Sequence, residues 1–213
     1  MTLILDPDRQ LALAYVPVAA RPAVAALWQL DVSFASILVT GTQPMVSQLR
    51  LAWWREALER LDSAPAPAEP VLQALAARVL PVVSGAELAA MEEGWLILLS
   101  DAALTEDEMA RYAALRGGLL FAYAARLLGD VAFPVTRAGE AWALADLARR
   151  SGRRNEVVAP APESKSKWPK KLRPLGMLAA LARRDLERLG RESEKQGSPG
   201  RMLRMVRHRI SGY

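Results

Sequence analysis

Asp31 and Arg50 are charged residues at positions where the helical pattern of the sequence puts apolar side chains. Asp31 lies in the apolar stripe of a helix predicted over residues 22–39, and Arg50 lies in the apolar face of the next helix. An ionised side chain is costly to bury unless a partner or a ligand compensates its charge. Because only the short break at 41–44 separates the two helices, we expect antiparallel neighbours and predict an Asp31–Arg50 ion pair. The pair would either fix the packing of the helices or serve as a polar anchor inside a pocket.

Arg50 belongs to the stretch 48–58, QLRLAWWREAL, which we predict to be a central helix. Its apolar side chains span an arc of about 200°, which is wider than the stripe of roughly 100° that one buried face requires. We therefore expect other helices to cover this helix on two sides.

Other residues that could carry chemistry give weaker signals. A Mg²⁺ site for diphosphate chemistry needs carboxylates three or four residues apart on one helical face. Glu56 and Glu59 have this type of spacing, but they alternate with Arg55 and Arg60 as ordinary surface ion pairs do. There is no glycine-rich phosphate loop and no nucleophile elbow. The chain has no cysteine, and its single histidine, His208, lies among arginines, where we expect it to be exposed rather than catalytic.

Positive charge is concentrated towards the C-terminus. Residues 149–213 hold 18 Lys and Arg against 6 Asp and Glu, whereas residues 1–148 hold 10 against 17. In the last predicted helix, Arg201, Arg204 and Arg207 alternate with apolar residues, and we expect these arginines to contact an anionic surface. A membrane surface, a nucleic acid or an acidic protein would fit, as would a basic face that contacts only solvent. Nucleic acid is the weakest of these because no aromatic residues interleave with the basic ones.

Alanine and leucine dominate the composition and β-branched residues are sparse, which favours helices. Proline, glycine and capping signals divide the chain into about eight or nine helices. We predict an all-α single domain over residues 1–213, with a Pro/Ala linker at 62–70 and a basic, mobile loop at 151–171. Gly117 and Gly118, inside a predicted helix, indicate a close helix contact or a kink.

No apolar run reaches the roughly 20 residues of a membrane span, and residues 1–6 lack the features of a signal peptide. We therefore expect a cytoplasmic protein. If it meets lipid, we expect peripheral attachment to the inner face of the membrane.

Several segments, taken in chain order, resemble the squalene/phytoene synthase family. The stretch 48–58 is the most specific of them, and the others are Arg21-Pro22, Ala26-Leu27-Trp28, Ala138-Gly139-Glu140-Ala141-Trp142-Ala143-Leu144, Arg173-Pro174-Leu175 and Ala182-Arg183-Arg184-Asp185-Leu186. The resemblance implies the all-α bundle of isoprenoid synthases. It also implies an enzyme that joins two prenyl diphosphates head to head, with Mg²⁺ held by two aspartate-rich segments on facing helices.

The two metal-binding segments that this resemblance implies are degenerate here. The first would fall at Ala35, Ser36 and Val39, none of which is acidic. The second would include Asp146 and Arg150, so that one acid remains and an arginine replaces the closing aspartate. Losing the ligands removes the Lewis acid that drives diphosphate departure. The chain therefore looks similar to a non-enzymatic branch related to the mitochondrial complex I assembly factor that is built on this fold.

Three functions follow from the sequence. The favoured one is a catalytically silent assembly or binding factor without a cofactor, whose partner is an anionic membrane surface or a protein of a respiratory complex. The second is an active prenyltransferase that uses Mg²⁺, or a protein that binds a prenyl diphosphate or a prenyl lipid. The third is a basic helical scaffold for nucleic acid or another protein.

Overall fold

A computed structural model describes residues 5–41, 43–100, 102–150, 156–158, 166–189 and 194–213. Within these ranges the chain forms nine helices and no strand, which confirms the predicted all-α fold class and helix number. The helices are α1 (Pro7–Ala14), α2 (Arg21–Thr40), α3 (Pro44–Arg60), α4 (Pro70–Arg78), α5 (85–99), α6 (106–127), α7 (Thr136–Arg150), α8 (Arg173–Glu187) and α9 (Pro199–Ser211). Helix α5 ends in the 3-10 turn Ile97–Leu99, and α6 contains the π-helical turn Ala113–Gly118.

Local sequence signals explain where these helices begin. Proline occupies one of the first two positions in α1, α2, α3, α4, α8 and α9, where its missing N–H costs nothing. Ser84 with Glu87 and Thr105 with Glu108 form capping boxes at the starts of α5 and α6. Each box satisfies backbone donors that a helix start would otherwise leave unpaired.

Helix α2 is the central element of the core. It packs against α1, α3, α4, α5 and α6, and it buries nine residues that include Leu27, Trp28 and Phe34. By length and composition alone α2 could cross a membrane, but 56% of its apolar window is buried inside the fold. The helix that organises the molecule is therefore α2, rather than the α3 helix that the sequence suggested.

Helix α3 is covered on one side only, so the prediction of two covered sides is wrong. Leu51, Trp54 and Leu58 are buried against α2 and α5. Leu49 and Trp53, on another part of the apolar arc, remain largely exposed. The arc is wide because it combines a face that packs on the core with an apolar face that points to solvent.

Helices α6 and α7 approach each other through glycine. A Cβ atom built on Gly117 would overlap the carbonyl oxygen of Gly139, and the reverse overlap is equally severe. The close helix contact that Gly117 and Gly118 indicated is thus confirmed at Gly117. The contact places the π-helical turn of α6 directly against α7.

Two predicted loops have more contacts than their composition suggested. At the end of α3, the Asp62 carboxylate accepts hydrogen bonds from the backbone N–H groups of Gly85 and Ala86, and so caps α5.

Of the basic loop at 151–171, residues 151–155 and 159–165 lie outside the described residues. In the described part, the Trp168 side chain is buried beside Phe133 and His208. The backbone N–H of Trp168 donates to the Gly212 carbonyl at 2.9 Å. The loop is thus packed against the fold around Trp168.

Candidate functional site

Asp31 is buried in the middle of the fold, but its partner is not Arg50. Its carboxylate accepts hydrogen bonds from Arg9 of α1 at 2.9 Å and from Arg116 of α6 at 2.9 and 3.2 Å. Arg50 is exposed, and its guanidinium donates to the Thr40 hydroxyl at 3.3 Å. Thr40 lies nine residues beyond Asp31, or about 13 Å along the helix axis. The predicted Asp31–Arg50 ion pair is therefore wrong, because Arg50 lies beside the C-terminal end of α2 and is exposed.

Arg116 sits between two buried carboxylates. Its guanidinium contacts Asp31 on one side and Asp146 of α7, at 2.7 Å, on the other. It also lies 4.3 Å from the ring centroid of Trp95 and 4.9 Å from that of Trp142, which are cation–π distances. The hydroxyl of Tyr112 accepts a further hydrogen bond from it. The π-helical turn and the contact at Gly117 hold Arg116 in this position, and π-helical turns often occur at functional sites.

Asp146 accepts hydrogen bonds from three arginines. Besides Arg116, these are Arg149 at 2.8 Å and Arg150 at 2.7 Å. Burial alone would raise the pKa of Asp146, but the three arginines outweigh burial and hold this pKa far below its usual value. Asp146 is therefore an ionised carboxylate at neutral pH.

The pKa values of Arg116 and Tyr112 are both raised. Burial opposes the charge of Arg116, yet Asp31, Tyr112 and Asp146 raise its pKa well above the usual value. Burial raises the pKa of Tyr112 to about 12, so the hydroxyl stays protonated at neutral pH. Arg116, Tyr112 and Asp146 therefore keep their charge states across the physiological pH range.

These contacts belong to a larger set of ion pairs, which we name the arginine–aspartate network. Arg9 also pairs with Asp6 at 2.6 Å, and Arg149 also pairs with Asp185 of α8 at 3.3 Å. The network has five acidic and five basic members: Asp6, Asp8, Asp31, Asp146, Asp185, Arg9, Arg116, Arg149, Arg150 and Arg201. It joins α1, α2, α6, α7, α8 and α9, and its formal charges cancel.

The space left beside the network is small. The cavity lined by Asp6, Trp142, Asp146, Arg149 and neighbouring residues has a volume of about 10 Å³. That is room for about one water molecule. It cannot hold a prenyl diphosphate.

The residues present do not fit the Mg²⁺ ions that the sequence resemblance implied. Among the described residues, no group of three or more carboxylate or imidazole side chains is placed to hold a metal ion. At the positions of the first motif, Ser36 donates its hydroxyl to the Ser33 carbonyl, and Val39 is exposed. The oxygens of Asp31 and Asp146 already accept hydrogen bonds from arginines. A divalent cation would have to displace those arginines and leave their charges buried without partners.

The sequence identified part of this site. It singled out Asp31, Asp146 and Arg150, and the structure brings all three into the network. It missed Arg9 and Arg116. Arg116 had the same signal as Arg50, because it is a charged residue in an apolar helical stretch, beside two glycines. Because Arg50 is exposed and Arg116 is buried, that signal decides neither whether a charge is buried nor which residue pairs with it.

The C-terminal arginines differ from one another. Arg201 is buried and pairs with Asp8 at 2.9 Å and Asp185 at 2.7 Å, so the prediction that it contacts an anionic surface is wrong. Arg204 is partly exposed and lies 3.7 Å from Glu194. Arg207 is exposed, as expected. His208 is buried rather than exposed, and burial, with Arg173 nearby, lowers its pKa to about 4.

Comparison with known proteins gives one match. The family model described as squalene/phytoene synthase matches residues 5–156, a range that contains α1 to α7. No curated protein and no solved structure matches the chain. Eight of the ten members of the network lie inside the matched range, and Asp185 and Arg201 lie beyond it. The chain belongs to the squalene/phytoene synthase family.

Proposed function

We propose that this protein is a catalytically silent member of its family and acts as an assembly or binding factor. The observation that carries the proposal is the position of Arg116, whose guanidinium lies between Asp31 and Asp146. A prenyl diphosphate condensation needs a Lewis acid to draw the diphosphate away from the allylic carbon. Here Asp146, the acid that remains at the metal-motif positions, is already ion-paired with Arg116, Arg149 and Arg150.

The network also leaves little charge for binding a diphosphate. Every arginine in it faces at least one aspartate, and Arg9 and Arg116 are buried together with their partners. A diphosphate entering this part of the core would have to break those pairs and expel buried carboxylates. We therefore favour a non-catalytic factor over the two alternatives. These are an active prenyltransferase that uses Mg²⁺ and a binder of prenyl diphosphates.

The partner follows from family resemblance and from charge. The similarity to the complex I assembly factor supports a protein of a respiratory complex as the macromolecule that is bound. The net charge of +5 and the exposed Arg207 support work at an anionic membrane surface. We place the protein in the cytoplasm, peripherally on the inner face of the membrane.

Enzyme assays test the catalytic part of the proposal. The purified full-length protein is incubated with farnesyl or geranylgeranyl diphosphate and Mg²⁺, and the products are analysed by chromatography, beside an active family synthase. We expect no condensation product. Turnover by the natural protein that is lost in Asp146→Ala would overturn the proposal.

A deletion strain tests the assembly role separately. We expect respiratory complex I to accumulate less in the deletion strain and to recover when the natural gene is restored. Normal levels of the assembled complex in the deletion strain would remove the respiratory partner while leaving the silent site unaffected.

A further inference from the structure

The turn between α2 and α3 carries a cluster of exposed apolar side chains. We name this cluster the hairpin tip; it consists of Val39 (86% exposed), Met45 (73%), Val46 (46%), Leu49 (66%) and Trp53 (48%). Met45, Leu49 and Trp53 follow one another at intervals of four residues, so they share one face of α3. Single exposed apolar residues are ordinary on protein surfaces, but a contiguous group of five marks a contact site.

The chain segment that carries the hairpin tip has charges of one sign. Residues 32–55 contain no Asp or Glu, and their only charged residues are Arg50 and Arg55. The acid-free segment lies within residues 1–148, where acidic residues otherwise outnumber basic ones. Arg55 pairs with Glu59 at 3.1 Å. Arg50 contacts the Thr40 hydroxyl and forms no ion pair with a carboxylate of the described residues.

We propose that the hairpin tip inserts into the interfacial layer of a bilayer that contains anionic phospholipids, with Arg50 meeting a lipid phosphate. Exposed aliphatic side chains, a tryptophan and an arginine, without acids, are the composition of interfacial membrane-binding segments. The negative surface potential of anionic lipid attracts basic residues close to the membrane. A standard protein interface needs about 800 Å² and some 20 residues on each side, which is more than this small tip offers.

Trp53 marks how deep the insertion goes. Beyond it lies a surface groove of about 140 Å³, lined by Trp53, Glu56, Ala57, Arg60 and two prolines. The ionisable residues Glu56 and Arg60 of this groove favour contact with water or headgroups over hydrocarbon. Trp53 therefore stands at the boundary, where tryptophan is enriched in membrane proteins.

Helix α9 is the weaker candidate for the membrane-binding surface. Its exposed apolar residues are Met202, Leu203 and Ile210, of which Met202 is only 39% exposed. Arg201 and Arg204 face acids. Exposed Arg207 contributes positive charge there, but the apolar surface is thinner than at the hairpin tip.

Vesicle flotation with the full-length protein tests this inference. The inference rests on the membrane association in the proposed function and assigns a surface to it. The flotation readout does not depend on enzyme turnover. We use vesicles of phosphatidylcholine alone and of phosphatidylcholine with phosphatidylglycerol at a ratio of about 7:3, which models an anionic leaflet. The natural protein should bind the anionic vesicles and bind the neutral ones weakly.

The apolar part is tested with Met45→Ser/Leu49→Ser. We expect affinity for anionic vesicles to fall at least about tenfold, because two apolar side chains no longer leave water on binding. Val18→Ser/Val131→Ser changes two equally exposed residues elsewhere, 76% and 80% exposed, and should bind like the natural protein. All four positions are exposed, so each variant should fold, and circular dichroism checks this.

The charged part is tested with Arg50→Gln. A basic residue near an anionic surface contributes about a fivefold gain in affinity, and we expect that loss in Arg50→Gln. Arg55→Gln, on the same helix but already paired with Glu59, is the matched control and should change affinity much less.

Four results would overturn the inference. They are no binding of the natural protein to anionic vesicles, equal binding to neutral vesicles, unchanged binding of Met45→Ser/Leu49→Ser, and an equal loss in Leu203→Ser/Ile210→Ser. A different result is that the natural protein binds no vesicles and forms a dimer that Met45→Ser/Leu49→Ser dissociates. That result would show that the hairpin tip binds a second copy of this chain. None of these results bears on whether the protein is a synthase.

Discussion

Arg116 shows how one side chain can pair with two buried carboxylates at once. Its guanidinium is planar and always charged, so it can meet Asp31 and Asp146 at the same time. The flanking tryptophans exclude water and add cation–π contacts. A cation built into the chain cannot dissociate, and it cannot act as a Lewis acid either.

Replacing Arg116 should destabilise the protein strongly. In Arg116→Met, Asp31 and Asp146 lose a buried partner, and we expect the free energy of unfolding to fall by about 3–5 kcal/mol. Urea unfolding followed by circular dichroism measures this change. Arg55→Met removes an exposed ion pair of α3 and should leave the urea midpoint unchanged. A midpoint for Arg116→Met close to that of Arg55→Met would show that the network contributes little.

His208 should make stability depend on pH in a defined window. Its pKa falls from 6.5 in the unfolded chain to about 4 in the folded protein, because burial disfavours the charged imidazole. The unfolded state therefore binds more protons between pH 6.5 and 4, and stability falls as pH falls through that window. Allowing for partial screening by solvent, we expect a loss of about 1–2 kcal/mol.

The measurement is urea unfolding at pH values from 7.5 to 4, with His208→Gln for comparison. The variant cannot titrate, so its stability should stay nearly constant over the window. Below about pH 4, both proteins should weaken, because the lowered pKa of Asp146 makes its contribution present above the unfolded pKa and lost below it. Equal slopes for the two proteins between pH 6.5 and 4 would show that His208 is not the titrating group.

At the level of residues, the sequence predicted the burial of Asp31 correctly and its partner wrongly. The apolar stripe correctly placed Asp31 in the core. Its partners come from 22 residues before it and 85 residues after it. Periodicity reports which side of a helix is apolar and carries no information on which distant segment faces that side. The nearest arginine on the next helix was therefore a reasonable partner and a wrong one.

Helices were predictable because their signals are local. Capping boxes and prolines each act within a few residues, and each did so in the structure. The exposure of α3 was not predictable from its pattern. An apolar face that packs on the core and an apolar face that meets a membrane look the same in sequence, since both exclude polar side chains.

The contact between α6 and α7 should not tolerate alanine at Gly117, but it should tolerate alanine at the neighbouring Gly118. In Gly117→Ala the new methyl group overlaps the backbone of Gly139, so the helices must separate. We expect a loss of about 2–3 kcal/mol. In Gly118→Ala the nearest atoms belong to the Glu140 side chain at 3.6 Å, an ordinary contact. Alanine is the better helix former, so this variant should be neutral or more stable by up to about 1 kcal/mol.

Thermal and urea unfolding of the two variants make a matched pair, because each change adds one methyl group on the same turn. Equal stabilities would mean that the helices can move apart at no cost, and that the close approach does not position Arg116.

Across the whole molecule, the network links the two ends of the described chain. Arg201 of α9 pairs with Asp8 of α1, 193 residues earlier, and with Asp185 of α8. Arg173 adds hydrogen bonds to the Arg209 and Ile210 carbonyls at the end of α9. The basic C-terminal part beyond the family match is thus attached to the family fold through buried charge pairs. Its basic composition alone did not indicate these pairs.

Arg201→Met should therefore loosen the C-terminal helix rather than change a surface. We expect a loss of about 2–4 kcal/mol, somewhat less than for a fully buried pair because Asp185 is partly exposed. Limited proteolysis should then release residues 199–213 faster than from the natural protein. Arg207→Met, an exposed change on the same helix, should alter neither stability nor proteolysis. If the two variants behave alike, α9 is held by its apolar contacts alone, and the charge pairs at Asp8 and Asp185 are dispensable.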